Sequence, residues 1–347
     1  MAISRRRLLQ TALAASVAPA FVPRTAAAAV TQLNVGTIGH SIAHFPLYVG
    51  AQQGFFGQNG VDIGKVTEFS TGALVGTAVT AGSLDIGSSV ITDVFSLAKA
   101  GRSVKVLAVS ANSYYIDIIA SKEFLQASKL NEKSSLADKI RAMRGKNIGV
   151  TGPGSGTEAL VLYLLKLGDI DRTRDVQLVN VGASIPAVLA TLRTGRVDLV
   201  SFAWPLGQQA QSQDIGEVFI SPARGDLPDM THQIHGVVYT TQDEIDKKHE
   251  AMVGFIRGYA KACTTILNDP ARSRELIKGF YPNLDPKALD LTLEVYRSTS
   301  VSANPMPSEA GFERAVKFHQ AVGLISESYS YNDIMATKVI ADAIRQR

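Results

Sequence analysis

Part of the sequence is repeated, and the second copy begins 113 residues after the first. Each copy runs through a β-type segment, a Gly/Ser loop, a helical segment, a second β-type segment, a Ser/Thr loop, a second helical segment and a Gly-x-hydrophobic-Asp motif. The aligned pairs are residues 35–39 with residues 148–152, Thr71 with Ser184, and residues 81–86 with residues 194–199. Strands that alternate with helices in this way form a parallel sheet with crossover helices. The repeat therefore predicts two similar α/β lobes.

The chain is predicted to pass between these lobes twice, near residues 110–118 and residues 225–238. Beyond that point the pattern is helical, and it begins with the capping box Thr241-x-x-Glu244. A helical tail without strands of its own must bury its apolar faces on an existing sheet. We expect that sheet to be the one in the first lobe.

The predicted fold class is α/β, with two Rossmann-like lobes, a two-segment hinge and a helical C-terminal tail packed on lobe one. Lobe one is predicted to comprise residues 30–114 and 235–347, and lobe two residues 115–234. With 347 residues and 46% hydrophobic side chains, the chain has enough apolar content for two cores of this size.

The charge balance argues against nucleic acid as a partner. Four of the 35 basic residues are arginines within residues 1–29, so the rest of the chain has as many basic residues as its 31 acidic ones. A nucleic-acid-binding protein carries a basic cluster. None is evident beyond residue 29.

The first 29 residues resemble a twin-arginine export signal. Arg5, Arg6 and Arg7 precede an uncharged apolar stretch and a run of small residues that a signal peptidase reads. The apolar part is too short for a permanent membrane span, and no Cys near the cleavage region offers a lipid attachment site. We therefore expect a soluble periplasmic protein. The single Cys263 is predicted to be a small core residue.

Six loops are expected to face a ligand, because open parallel sheets bind ligands beyond the carboxyl ends of their strands. There the first turns of helices present free N–H groups and a partial positive charge. The loops are rich in hydroxyl groups, and none contains Lys or Arg. The candidate ligand contacts in them are His40, Ser41, His44, Ser70, Thr71, Ser88, Ser89, Asp93, Ser155, Gly156, Thr157, Ser184 and Trp204. Ordinary N-caps and tight turns are the alternative interpretation of the same loops.

The absence of Lys and Arg narrows the ligand class. A phosphate-rich nucleotide needs a Lys, an Arg or a metal besides backbone amides. Helix N-termini with Ser and Thr hydroxyls hold a singly charged oxyanion, such as a sulfonate or a carboxylate. We therefore expect a small organic anion as ligand and no cofactor.

Three histidines are candidates for hydrogen bonds to the ligand: His40, His44 and His235, the last on a predicted crossover strand. No metal site is expected, because no Cys or carboxylate pair lies beside them in sequence. No catalytic residue is expected either. The nucleophile motif Gly-x-Ser-x-Gly after a strand is missing, and Ser155 has no identifiable base.

Aromatic residues are placed to form an apolar wall. Trp204, the only tryptophan, follows the last strand of the second repeat. Tyr114 and Tyr115, at the first crossover, are placed to face it. A core position for Trp204 is the alternative.

The order and spacing of several short motifs resemble the solute-binding proteins of ABC importers for nitrate, sulfonates, taurine and thiamine pyrimidine precursors. These proteins have a type II periplasmic binding fold. The motifs are Pro46 with residues 47–49, residues 54–56, 60–62, 82–87, 144–150 and 195–198, and the pair Trp204 and Pro205.

The resemblance implies two lobes that close on a ligand and then dock on a membrane permease. It also implies ligand contacts from the loops after the strands: His40, Ser41, Ser70, Thr71, Ser88, Ser89, Ser155, Thr157, Ser184 and Trp204. The missing Lys and Arg depart from what nitrate requires. A zwitterion such as taurine needs an anion beside its ammonium, which Asp93 or Glu158 is able to supply. A monomer is expected.

Two other functions stay open. One is an enzyme of the same fold that acts on a pyrimidine or menaquinone precursor, with a His or Cys in the chemistry. The export signal, the missing Cys-rich motif and the position of Cys263 argue against it. The other is a ligand-binding partner of a membrane sensor.

Overall fold

The computed structural model describes residues 30–39, 41–304 and 306–345. The predicted export signal, residues 1–29, and the predicted ligand contact His40 lie outside the described residues. The described residues form two five-stranded mixed sheets, which we call the first and the second sheet. Helices cover both faces of each sheet.

Four strands of the first sheet run in the same direction, and a fifth, antiparallel strand is inserted between two of them. Its strands are β1 (Thr31–Ile38), β2 (Val61–Phe69), β3 (Ile86–Val90), β4 (Val104–Ala111) and β10 (Gly236–Thr241). The strand order is β2-β1-β3-β10-β4. β1 is parallel to β2 and β3, whereas β10 runs antiparallel between β3 and β4. Strands covered on both faces have continuous apolar sequences, as β4 does.

The second sheet has the same pattern. Its strands are β5 (Ile116–Ser121), β6 (Asn147–Val150), β7 (Gln177–Asn180), β8 (Leu199–Ala203) and β9 (Gly216–Ile220). The strand order is β7-β6-β8-β5-β9. β6 is parallel to β7 and β8, and β5 is antiparallel to β8 and β9. The predicted two-lobed α/β fold is therefore confirmed.

Helices connect the strands and form the C-terminal tail. Those before β10 are α1 (Phe45–Gln52), α2 (Gly72–Thr80), α3 (Ile91–Lys99), α4 (Lys122–Ser128), α5 (Leu136–Arg141), α6 (Gly156–Leu167), α7 (Ile185–Arg193) and α8 (Leu206–Ser212). Those after it are α9 (Gln242–Lys247), α10 (His249–Asn268), α11 (Pro270–Phe280), α12 (Pro286–Thr299), α13 (Glu309–Ala321), α14 (Tyr331–Ile334) and α15 (Thr337–Arg345). Short 3₁₀ turns lie at Ile42–His44, Gly57–Asn59 and Pro228–Met230.

The repeat predicted from sequence has a structural counterpart in one pair of aspartates. Asp85 accepts a hydrogen bond from the Asn34 backbone N–H at 2.6 Å, and Asp198 accepts one from the Asn147 N–H at 2.9 Å. In both cases the aspartate N–H donates back to the asparagine carbonyl, at 3.0 and 2.9 Å. Each aspartate thus ties the chain just before one strand to the neighbouring strand, which explains why the Gly-x-hydrophobic-Asp motif occurs twice.

The chain crosses between the sheets in two segments. The first crossover joins β4, which ends at Ala111, to β5, which begins at Ile116. The second joins β9, which ends at Ile220, to β10, which begins at Gly236. The lobe boundaries predicted from the sequence fall within these two segments and stay a prediction.

The helical tail covers the first sheet and also reaches the second. Buried residues of α10 and α15 share a core with β1 and β4, as predicted. In addition, α12 packs against α8, and Phe318 of α13 contacts the rings of Tyr114 and Tyr163 with centroid distances of 5.2 and 5.3 Å. The tail therefore contacts both sheets.

Two smaller findings concern Cys263 and the possibility of a membrane span. Cys263 is buried in α10 within the core of the first sheet. Across the described part of the chain, every helix is too short or too polar to cross a membrane.

Candidate functional site

A cleft of about 150 Å³ opens between the two sheets, where the strands end. Loops after β1, β2 and β3 border one side, and loops after β6, β7 and β8 border the other. Its described lining residues are Ile38, Gly39, Ser41, Ser70, Thr71, Gly72, Ala73, Val90, Asp93, Tyr115, Ile116, Thr151, Gly152, Pro153, Gly154, Ser155, Gly156, Thr157, Ala183, Ile185, Phe202, Ala203 and Trp204. This set is mainly apolar and includes hydroxyl groups, one carboxylic acid and no Lys or Arg.

Four helices, α2, α3, α6 and α7, begin at the cleft. Thr71 caps α2 by accepting a hydrogen bond from the Leu74 N–H at 3.4 Å, and Ser155 caps α6 by accepting one from the Glu158 N–H at 3.2 Å. Ser184 precedes α7 without a side-chain capping bond. The first turn of a helix leaves backbone N–H groups without intrahelical partners and carries a partial positive charge. The cleft thus has several positions that favour an oxyanion.

Three hydroxyl groups at the start of α6 form one hydrogen-bonded cluster. The Thr157 hydroxyl accepts a hydrogen bond from the Thr151 N–H at 2.9 Å and lies 2.8 Å from the hydroxyls of both Thr151 and Ser155. Ser155 donates to the Gly152 carbonyl at 2.6 Å. These bonds fix the shape of the loop, so its polar edge is preorganised before a ligand arrives.

Asp93 places a carboxyl group in the cleft, in the first turn of α3. Burial raises its pKa to about 6, although the neighbouring Ser89 side chain and a hydrogen bond from the Val90 backbone N–H oppose the shift. The carboxylate lies against Gly72, where a Cβ atom would overlap it. Gly72 therefore allows a carboxyl group to sit at the beginning of α2.

Aromatic side chains form the opposite wall. Tyr115, Phe202 and Trp204 line the cleft, and the rings of Tyr115 and Trp204 lie 6.3 Å apart between centroids. The indole N–H of Trp204 donates to Asp117 Oδ2 at 2.7 Å. Both interpretations of Trp204 hold, because it lines the cleft while only 1% of its surface is exposed.

Glu158 serves its own loop. It is buried in the first turn of α6, and its carboxylate accepts a hydrogen bond from the Gly154 N–H at 2.6 Å. Its other oxygen pairs with Arg172 at 3.2 Å. The suggestion that Glu158 binds a ligand ammonium is therefore replaced by a structural role, and Asp93 is the described carboxyl group that lines the cleft.

The structure brings nine of the predicted ligand contacts together around the cleft: Ser41, Ser70, Thr71, Asp93, Tyr115, Ser155, Gly156, Thr157 and Trp204. Five others do not line it: His44, Ser88, Ser89, Ser184 and His235. Whether the nine contact a ligand stays a prediction.

The buried members of the second group hold the protein interior together. His44 lies 2.8 Å from the Ser88 hydroxyl and 3.0 Å from the Ile38 carbonyl, which joins it to β3 and β1. Ser89 is fully buried beside the carboxyl of Asp93. Ser184 lies between two lining residues without lining the cleft itself. His44, Ser88 and Ser89 support the cleft from behind, whereas Ser184 is exposed.

His235 is completely buried at the second crossover. Its ring lies 3.8 Å from the ring of Tyr114 and 4.9 Å from that of Tyr115, measured between centroids. Burial lowers its pKa well below the ordinary value for histidine, so the ring is neutral at neutral pH. His235 therefore does not offer a positive charge to an anion.

Five lining residues lie outside the six loops predicted from the sequence: Ile38, Ala73, Ile116, Thr151 and Ile185. Thr151 had a usable signal, because it is the first residue after β6 and a hydroxyl-bearing one. The other four are apolar and have no chemical signature. Within the described ranges, no group of three or more His, Cys, Asp or Glu side chains could hold a metal ion.

A relative of known sequence aligns along nearly the whole chain. YtlA of Bacillus subtilis (strain 168), named as a candidate binding protein, is 22% identical over 333 residues, which cover 91% of this chain and 90% of YtlA.

Solved structures of binding proteins have the same fold. The alkanesulfonate-binding protein SsuA from Xanthomonas axonopodis pv. citri, bound to MOPS, matches with a TM-score of 0.65 and 17% identity over 90% of this chain and 99% of its own. The periplasmic nitrate-binding protein NrtA from Synechocystis PCC 6803 matches with a TM-score of 0.69 and 12% identity over 91% of this chain and 89% of its own. At these identities the likeness establishes the fold.

The model of the NMT1-like family matches residues 26–279, which is most of the chain. This match confirms the resemblance that the short motifs indicated. The chain therefore belongs to the NMT1-like family and has the fold of the periplasmic substrate-binding proteins of ABC importers.

Proposed function

We propose that this protein is the solute-binding component of an ABC importer and captures a small organic anion, of sulfonate or carboxylate type, between its two lobes. It reaches the periplasm by the twin-arginine route, binds the ligand without chemical turnover and delivers it to a permease in the inner membrane. The cleft carries the proposal, because both sheets contribute loops and helix N-termini to one mainly apolar site.

The acidic group of the ligand binds at the start of α6. Backbone N–H groups of the first turn lie there beside the hydroxyl cluster of Thr151, Ser155 and Thr157, with no cation to neutralise a second charge. A singly charged oxyanion suits such a site, whereas a phosphate ester needs Lys, Arg or a metal.

The ligand also has an apolar body. Tyr115, Phe202 and Trp204 supply aromatic surface beside the polar edge. An inorganic ion such as nitrate leaves that surface uncovered, whereas an organic acid buries it. A protein cavity of about this volume holds a molecule of the size of benzene. The cleft therefore favours an organic acid over nitrate.

Asp93 adds a second condition. With a pKa of about 6 its carboxyl group is mostly ionised at neutral pH, so it repels a second anionic group on the first-sheet side of the cleft. A ligand with a hydrogen-bond donor or an ammonium opposite its acidic group satisfies both sides. Zwitterionic sulfonates and carboxylates therefore belong to the proposed class.

The test uses Trp204, whose emission is the only tryptophan signal of the protein. The purified protein is titrated with benzenesulfonate, benzoate, taurine and nitrate while fluorescence and melting temperature are recorded. We expect a saturable change with an organic acid, none with nitrate, and recovery of the ligand unchanged. If no organic acid at millimolar concentration alters either signal, the ligand class is wrong; a ligand recovered as product indicates an enzyme.

A matched pair of variants locates the binding. Ser155→Ala removes a hydroxyl that lines the cleft and caps α6, and we expect it to weaken binding by about tenfold, because the first turn that holds the acidic group loses its cap. Asp214→Asn changes an exposed carboxylate that pairs with Lys122 on the surface, so it should leave the titration unchanged. Equal affinities for both variants place the ligand elsewhere.

A further inference from the structure

Asp117 is a carboxylic acid inside a buried apolar strand. It is the second residue of β5, it has no exposed surface, and the strand residues around it are Ile116, Ile118 and Ile119. Burial raises its pKa to about 6. A buried ionisable group is unfavourable unless it is hydrogen-bonded, so a requirement other than packing accounts for it.

The hydrogen-bond partner of Asp117 is Trp204, which lines the cleft. Asp117 Oδ2 accepts the indole N–H of Trp204 at 2.7 Å, and the Trp204 backbone N–H donates to the Tyr115 carbonyl at 3.1 Å. In the β5–β8 pair Asp117 lies opposite Phe202. Phe202 precedes Trp204 by two residues in the chain. Trp204 is therefore held by hydrogen bonds at both its backbone nitrogen and its indole nitrogen. Rotation of the ring would leave the indole nitrogen without its acceptor.

The same carboxylate lies beside the second crossover. Its Oδ1 makes no hydrogen bond, and the nearby Ser221 side chain lowers the pKa of the group. Ser221 begins a compact turn in which its N–H donates to Asp226 at 3.0 Å. Arg224 donates to the same Asp226 carboxylate at 2.6 Å. Asp117 thus stands between the aromatic wall and a hydrogen-bonded turn of the segment that returns to the first sheet.

We propose that Asp117 is a positioning residue of the binding site: it fixes the orientation of the Trp204 indole in the cleft wall. The fixed orientation of the indole is a property of the protein without ligand. Its consequence for affinity rests on the proposed function, because it requires that the ligand packs on Trp204.

The first test needs no ligand. In ¹⁵N-labelled protein the single tryptophan gives one indole N–H resonance, and its exchange with deuterated solvent reports the hydrogen bond. We expect Asp117→Ala to shift this resonance and to speed its exchange by about tenfold or more. Asp117→Asn keeps a carbonyl acceptor and should stay within about threefold of the wild type. The exposed Asp214→Asn serves as the control.

An unshifted resonance with unchanged exchange in a folded Asp117→Ala variant overturns the proposal. If Asp117→Ala does not fold, Asp117→Asn and Asp117→Ser decide between the two results. Serine is too short to reach the indole, so it should behave as alanine, whereas equal exchange in the Asn and Ser variants overturns the proposal.

The second test measures affinity for benzenesulfonate by calorimetry, which does not depend on tryptophan emission. We expect Asp117→Ala to weaken binding by about fivefold or more, and to have no further effect once Trp204→Phe has removed the indole N–H. Independent, additive losses contradict positioning through Trp204. If benzenesulfonate and the other organic acids fail to bind the wild type, the proposed function fails, and the resonance still decides the role of Asp117.

Discussion

The two sides of the cleft share one backbone design and differ in chemistry. At positions 113 residues apart, Ser89 corresponds to Phe202 and Asp93 corresponds to Leu206. Both sides present hydroxyls, but the first-sheet side adds a carboxyl group, and the second-sheet side adds the rings of Phe202 and Trp204. The comparison teaches that the repeat supplies a common scaffold, whereas the chemistry of the cleft differs at the positions where the copies diverge.

The largest expected effect comes from removing the tryptophan on the second-sheet side of the cleft. Trp204→Ala removes a fully packed indole, and the cavity it leaves should lower the free energy of unfolding by about 3–5 kcal/mol. Urea denaturation measures the loss, and Trp204→Phe, which keeps a ring, should lose much less. A loss below about 1 kcal/mol in Trp204→Ala means that the wall collapses without cost, contrary to the dense packing seen here.

The next prediction compares the two strand-joining aspartates. Asp85→Ala and Asp198→Ala each leave a backbone N–H without its acceptor, which costs about 1–3 kcal/mol. Asp85 also pairs with Lys248, so we expect its replacement to be the more destabilising of the two. Chemical denaturation of both variants measures the difference. A larger loss for Asp198→Ala contradicts the assigned contacts.

Asp93 has no acidic counterpart on the second-sheet side of the cleft. Its titration should therefore make the stability contribution of the first-sheet side depend on pH. Its pKa is raised from 3.8 to about 6 in the folded protein, so its contribution to stability is present below about pH 4 and is lost as the pH rises through 6. Relative to Asp93→Asn, the wild type should lose about 1–2 kcal/mol between pH 4 and 7, after allowance for partial exposure.

Melting temperatures of both proteins across that range provide the measurement. Asp117 titrates in the same interval, but it is present in both proteins and largely cancels from the difference. A constant gap between wild type and Asp93→Asn at every pH contradicts the shifted pKa.

The smallest effect compares two helix caps at equivalent positions. Thr71 accepts a capping hydrogen bond, and Ser184 does not. Thr71→Ala should therefore cost about 1 kcal/mol and Ser184→Ala less than about 0.5 kcal/mol in the free energy of unfolding. Equal losses in denaturation experiments show that the two capping sites do not differ as described.

Much of the fold was predictable because the scaffold needs the same local residues twice. A Cβ on Gly36 would overlap Leu84, and one on Gly149 would lie 2.9 Å from Val200. Such requirements appear in a sequence as recurring residues at a fixed offset. The contact of the tail with the second sheet was not predictable, because an amphipathic helix shows which face is buried but not what covers it.

The site was predictable where local structure dictates residue type. Thr71 and Ser155 are found because helix caps favour hydroxyl side chains. His44 and His235 misled the same search, since a buried histidine satisfies partners or packs against rings that only the tertiary structure reveals. Asp117 was passed over within an apolar run, although an acid in such a strand is itself a signal.

The antiparallel strand β10 also bears on how the chain becomes organised in time. The second sheet takes all its strands from residues 116–220, so it completes as soon as that stretch is available. The first sheet stays divided between β3 and β4 until residues 236–241 arrive to fill its centre. Long-range pairing of this kind is slow compared with local pairing. We therefore expect the second sheet to form first, and the earlier-synthesised first sheet to be completed later.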